Sequence, residues 1–198
     1  MDTYNGGTAM RRLLALVTVV GLLSAAAPTA ARGRPGLKVT RGSMSAGGQI
    51  TLSFDSINPS SGNSVSGWEL KLQPTFDYFL ADGFYLGGGI IIGGGFGDLY
   101  SGSTINVSPI QLNLGYVVPL RTILPYVSFG TGPMFTVPDQ GDAAVSLSMS
   151  FGAGILVPLN YHVALQIGIH PTVLIGLSNF QGTIFSMPFG AIGIRGFF

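Results

Sequence analysis

Val145–Val157 reads VSLSMSFGAGILV. One alternate set is Val145, Leu147, Met149, Phe151, Ala153, Ile155 and Val157, all apolar. The other is Ser146, Ser148, Ser150, Gly152, Gly154 and Leu156, nearly all small or weakly polar. A period of two over this length specifies a β-strand with two unlike faces. A strand on a water-facing surface usually presents Lys, Glu or Thr; here neither face carries a charge. The stretch therefore predicts an inside-out strand, with small polar residues toward a cramped interior and large apolar ones toward oily surroundings.

Composition extends this reading to the whole chain. The 198 residues suffice for one domain with a sizeable core. Hydrophobic residues make up 46% and charged residues 9%, against about 25% charged in an ordinary soluble domain. The 31 glycines disfavour helices. The one continuously apolar run lies at the N-terminus. Low charge, abundant glycine and no internal spanning helix together predict a membrane β-barrel.

The N-terminal run has the parts of a secretory signal. Arg11 and Arg12 form a basic region, Leu13–Leu23 an apolar one, and Ala25–Ala31 a small-residue one. Thr29 and Ala31 suit a cut before Arg32, and Met10 is an alternative start. Residues 1–31 are thus predicted to be a signal peptide, 32–46 a basic, flexible periplasmic leader, and 47–198 the barrel. The chain has no cysteine, so it has neither a lipoprotein acylation site nor a disulfide. After Ala31, seven basic residues (Arg32, Arg34, Lys38, Arg41, Lys71, Arg121, Arg195) balance seven acidic ones (Asp55, Glu69, Asp77, Asp82, Asp98, Asp139, Asp142). No basic surface for nucleic acid follows from that balance.

Eight alternating segments follow: Gln49–Phe54, Trp68–Phe79, Phe84–Phe96, Thr104–Val118, Pro125–Thr136, Val145–Val157, His162–Ile175 and Thr183–Phe198. The second is the clearest. Trp68, Leu70, Leu72, Pro74, Phe76 and Tyr78 share one face, and Glu69, Lys71, Gln73, Thr75 and Asp77 the other. The fourth changes phase near Pro109, which predicts a bulge, and the eighth changes phase around Gly190. Connections alternate between longer polar loops (near 55–67, 97–103, 137–143 and 176–182) and short turns. That layout is an antiparallel meander closed into an eight-stranded, up-and-down transmembrane barrel. Strands of a dozen residues exceed the roughly 9–11 needed to cross a bilayer at a tilt. Aromatic residues (Tyr78, Phe79, Phe84, Tyr85, Tyr116, Tyr126, Tyr161, Phe197, Phe198) gather toward the turn end, and Trp68 and Tyr100 toward the loop end. This predicts two interfacial girdles.

These features, with the phrases LQPTFDYFLADGFYLGGG (Leu72–Gly89), PYVSFGTGPMF (Pro125–Phe135) and the terminal IGIRGFF, resemble the small eight-stranded outer-membrane β-barrels of Gram-negative bacteria, the outer-membrane protein A/X-like barrel domain. The resemblance covers about residues 47–198. It implies residence in the outer membrane among lipid and lipopolysaccharide, as a monomer. It also makes Phe198 resemble the aromatic signal that the barrel-assembly machinery reads.

A barrel of eight strands has an interior filled by side chains. Its inward polar set is predicted as Glu69, Lys71, Gln73, Asp77, Tyr85, Gln111, Tyr126, His170 and Arg195. Asp77, Tyr85, Tyr126 and Arg195 fall near the turn end, Gln73, Gln111 and His170 at mid-height, and Glu69 and Lys71 higher. Buried charges need partners, so Arg195 is expected to pair with Asp77, and Glu69 with Lys71. The set reads as a structural plug; a gate or proton path is the functional alternative. Catalysis needs a nucleophile with a base in reach. Only His162 and His170 are available, and IHPTVLIG around His170 contains no acidic partner. Gly87–Gly89 and Gly93–Gly95 lie within a strand and are not phosphate loops. The expectation is a non-enzymatic envelope scaffold displaying short loops, without cofactor or metal. Three alternatives stand beside it: a narrow solute channel, a lipid-modifying barrel enzyme, and a lipocalin-like binder with Val145, Leu147 and Phe151 inside.

Overall fold

The computed structural model describes residues 37–57, 65–98, 102–120, 122–138, 142–178 and 183–198. The signal segment, Arg32, Arg34, Tyr100, Arg121 and half of the predicted loop residues lie outside them.

Nine strands follow in order: β1 (Met44–Ile57), β2 (Val65–Ala81), β3 (Phe84–Gly97), β4 (Gly102–Val117), β5 (Leu124–Pro138), β6 (Ala144–Pro158), β7 (Val163–Ile169), β8 (Thr172–Ser178) and β9 (Thr183–Phe197). Every neighbouring pair is antiparallel. β9 also pairs with β1, from Ser45↔Phe197 to Ser56↔Phe185, so the sheet returns to its first strand. The nine strands make eight spans, because β7 and β8 are the two halves of the predicted seventh segment. They are separated at His170–Pro171, where proline has no N–H to give a ladder. Both halves pair with β6, and the Phe151 amide bridges the break by donating to the Pro171 carbonyl at 2.9 Å.

Both predicted phase changes are bulges. Between Gly89↔Gln111 and Ile91↔Ser108, β4 holds one residue more than β3. The inward set consequently switches from Thr104, Asn106 and Ser108 to Gln111 and Asn113, all buried. On β9, Phe189 is the extra residue between Pro188↔Ser53 and Gly190↔Leu52. A bulge is what allows a strand to change phase without turning its apolar face inward.

The barrel is inside out. Among the described residues, 20 polar or charged side chains are buried against 14 apolar ones. Ser146 and Ser148 lie inside while Phe151 is exposed, the reverse of a lipocalin-like arrangement. Leu70, Leu72, Phe76, Ile92, Leu112 and Ile192 likewise face outward, which is stable only against hydrocarbon. The predicted turn-end girdle divides in two. Tyr78, Phe84, Tyr116, Tyr161 and Phe198 are exposed, whereas Phe79, Tyr85, Tyr126 and Phe197 are buried. Adjacent aromatics on a strand must point to opposite faces. Phe79 and Phe197 therefore belong to an internal cluster rather than to the girdle. Toward the loop end, Trp68 stacks on Phe189 at 5.2 Å and meets Phe54 edge-on at 5.5 Å.

The barrel begins earlier than residue 47. Pairing starts at Met44, and Leu37 and Val39 ahead of it are buried. The described part of the predicted leader is thus docked on the barrel.

Candidate functional site in the barrel lumen

The lumen contains three polar layers, and each predicted residue falls in or beside one. Nearest the turn end, Arg195 on β9 places Nη1 3.2 Å from Asp77 Oδ2 on β2. Ser45 Oγ donates to the same oxygen at 3.3 Å. The guanidinium lies over the Tyr85 ring, 5.5 Å from its centroid. Asp77 is 1% and Arg195 6% exposed, so each charge depends on the other for compensation.

At mid-height a belt of amides crosses five strands. Gln166 Nε2 donates to Gln49 Oε1 at 2.9 Å, and Gln49 Nε2 to Gln73 Oε1 at 2.9 Å. Gln73 Nε2 then donates to Gln111 Oε1 at 2.8 Å, and Gln111 Nε2 to Ser150 Oγ at 3.3 Å. The bonds run head to tail, so Gln49, Gln73 and Gln111 each use both ends of the amide. Gln166 also donates to Tyr126 Oη at 2.9 Å, and that hydroxyl lies 3.0 Å from His170 Nε2. Because Tyr126 accepts from Gln166, its own proton is available for Nε2. This favours the His170 tautomer protonated on Nδ1.

Toward the loops, Lys71 Nζ meets Glu69 Oε2 at 2.7 Å and donates to Ser186 Oγ at 3.3 Å. Asn106 Nδ2 donates to Glu69 Oε1 at 2.7 Å.

Both predicted ion pairs form. Gln73 and Gln111 bond directly, and His170 joins the belt through Tyr126. The sequence reading missed Gln49, Gln166 and Ser150, which complete the belt, and Ser45, Asn106 and Ser186, which finish the charged layers. Strand alternation could have found them, since Gln49 precedes outward Ile50 and Gln166 lies between Leu165 and Ile167. Their mutual contacts depend on register, which no single strand reveals.

Glycine makes the layers possible. A Cβ on Gly115 would stand 2.5 Å from Tyr85 Oη. One on Gly130 would be 2.6 Å from Ser150 Oγ and 2.7 Å from Asn113 Oδ1, and one on Gly154 2.8 Å from Tyr126 Cε1. Tyr85, Asn113 and Tyr126 thus each lie over a glycine of another strand. The cavity left between belt and turn-end layer has a volume of about 20 Å³, room for roughly one water molecule. Among the described residues, no group of three His, Asp or Glu side chains could hold a metal ion. His162 lies apart at the turn end, its Nδ1 3.1 Å from the Phe197 carbonyl oxygen.

An antiparallel ring with a lipid-facing apolar exterior and a layered polar lumen defines a transmembrane β-barrel of the outer-membrane kind. The family model described as outer membrane protein beta-barrel domain matches residues 15–190, and the chain belongs to that family. It is an outer-membrane protein.

Among solved structures the fold is similar to neisserial surface protein A, at 12% identity and a TM-score of 0.57, covering 78% of this chain and 96% of that one. It is also similar to OprG of Pseudomonas aeruginosa, at 14% identity and a TM-score of 0.49, covering 82% and 98%. A third is the N-terminal barrel domain of Pseudomonas aeruginosa OprF, at 15% identity and a TM-score of 0.48, covering 80% and 98%. No curated protein matches the chain.

Proposed function

We propose that this protein is a non-enzymatic envelope scaffold: a rigid barrel that holds four loop connections at one end and short turns at the other. On this reading residues 1–31 direct export and are removed. The assembly machinery reads Phe198, and the mature barrel resides as a monomer among outer-membrane lipid and lipopolysaccharide. The carrying observation is the amide belt. Its bonds span the lumen from β7 through β1, β2 and β4 to β6, and the space beside it has room for roughly one water. A solute path would have to break several of these bonds together, and each buried group left unpaired costs about 1–3 kcal/mol.

Planar-bilayer recording tests this directly. The purified barrel should insert without discrete conductance steps. Steps whose size changes in Asp77→Asn or Arg195→Gln would establish the channel instead. The enzyme alternative has its own measurement. Lipid A from cells expressing His170→Ala should be identical by mass spectrometry to lipid A from cells expressing the unaltered chain.

A further inference from the structure

We infer that Leu37–Ser43 is a built-in cork that closes the turn end of the barrel. Leu37 and Val39 are 7% and 2% exposed and belong to one buried apolar cluster. The cluster draws on seven strands, including Phe79 of β2, Val117 of β4, Leu156 of β6 and Phe197 of β9. Side chains arriving from nearly the whole circumference meet only near the barrel axis. The two aliphatic residues therefore fill the mouth rather than lie along its rim.

The backbone fixes them there. Gly83 N donates to the Val39 carbonyl at 2.7 Å, and Arg41 N to Asp82 Oδ1 at 2.9 Å, which ties the segment to the β2–β3 turn. Gly42 N donates to the Phe79 carbonyl and Phe79 N to the Ser43 carbonyl, each at 2.9 Å. Gly42 has φ +87°, a value that L side chains rarely adopt. It turns the chain from β1 back across the mouth.

The apolar cork lies below the Asp77–Arg195 layer and keeps water from it on that side. Its docking site includes β9, so it is complete only after the last strand is in place. The cork is then the closing step of the finished barrel.

The chain has no cysteine, which permits a direct test with a membrane-impermeant maleimide on the folded full chain. Ala164 is fully buried in the cluster. Ala164→Cys and, separately, Val39→Cys should resist labelling. Adding Leu37→Asp to Ala164→Cys should accelerate labelling about tenfold or more, with folding verified by the mobility of unboiled samples. Rapid labelling of either cysteine in the otherwise unaltered chain overturns the inference. So does unchanged protection of Ala164→Cys when Leu37→Asp is present and the barrel is folded. Val39→Cys keeps the proposal testable if the Leu37 variant does not fold.

Discussion

At the residue scale, this barrel is stabilised by pairs that cannot be changed one at a time. Asp77 and Arg195 neutralise each other in a lumen that is nearly filled by side chains. Arg195→Ala alone should destabilise the barrel by about 3–5 kcal/mol, because it leaves Asp77 as a buried, uncompensated charge. The double variant Asp77→Asn, Arg195→Gln should cost less than the two single changes summed. Urea unfolding followed by gel mobility measures both, and strict additivity would mean that the pair is not coupled. A similar coupling joins Gly115 to Tyr85. Gly115→Ala brings a methyl group to 2.5 Å from the Tyr85 ring and should cost roughly 1–3 kcal/mol. In a Tyr85→Ala background the same change should cost less but not vanish, because the Val127 carbonyl oxygen stands 2.6 Å from the added methyl group.

At the element scale, bulges keep the strands in phase. β4 holds its extra residue beside Pro109, and this lets Ile105 and Leu112 both face outward although they are an odd number of residues apart. Deleting Ile110 should remove the bulge and leave Thr104–Ser108 and Gln111–Val117 in one continuous phase, each still presenting its apolar face to lipid. The expected result is survival of the compact unboiled band; loss of that band would show that the bulge itself is required for the barrel to close.

Much of this level was legible in the sequence. Alternation is a local property, so it located each span, the phase changes near Pro109 and Gly190, and the inward charges. Contacts between spans were less legible. The Gln49–Gln73 bond depends on a register between distant segments. The split of the aromatics depended on noticing that Phe79 follows Tyr78 and Phe197 precedes Phe198. The docked strap at Leu37–Ser43 alternates only over Leu37–Thr40, too short a stretch to mark it as part of the barrel. It reads as a leader because its partners are scattered across seven strands.

At the scale of the whole molecule, closure joins the first and last strands. β1 and β9 pair along their length, and Met44 and Phe198 exchange backbone hydrogen bonds at 3.1 and 2.9 Å. A barrel closed in this way leaves no strand edge for detergent to enter. Unboiled protein should therefore migrate as a compact species, and boiled protein as a slower one, in the outer-membrane fraction. Recovery in the soluble fraction with unchanged mobility would contradict a membrane barrel. Removing the last strand's residues 183–198 should abolish the compact species altogether.

The aromatic trio near the loop end gives that closure an optical signature. Trp68 is the sole tryptophan, and its neighbours Phe54 and Phe189 belong to the first and last strands. The indole thus straddles the seam where the cylinder is sealed. Part of its shift to shorter wavelength should accompany entry into lipid, since Trp68 is on the exposed outer face, and the remaining part should follow only when the first and last strands have met. Phe189→Ala should weaken that remaining part while leaving the secondary structure in place. The time course of intrinsic fluorescence during refolding into lipid then separates entry into lipid from the joining of the first and last strands, without any added dye.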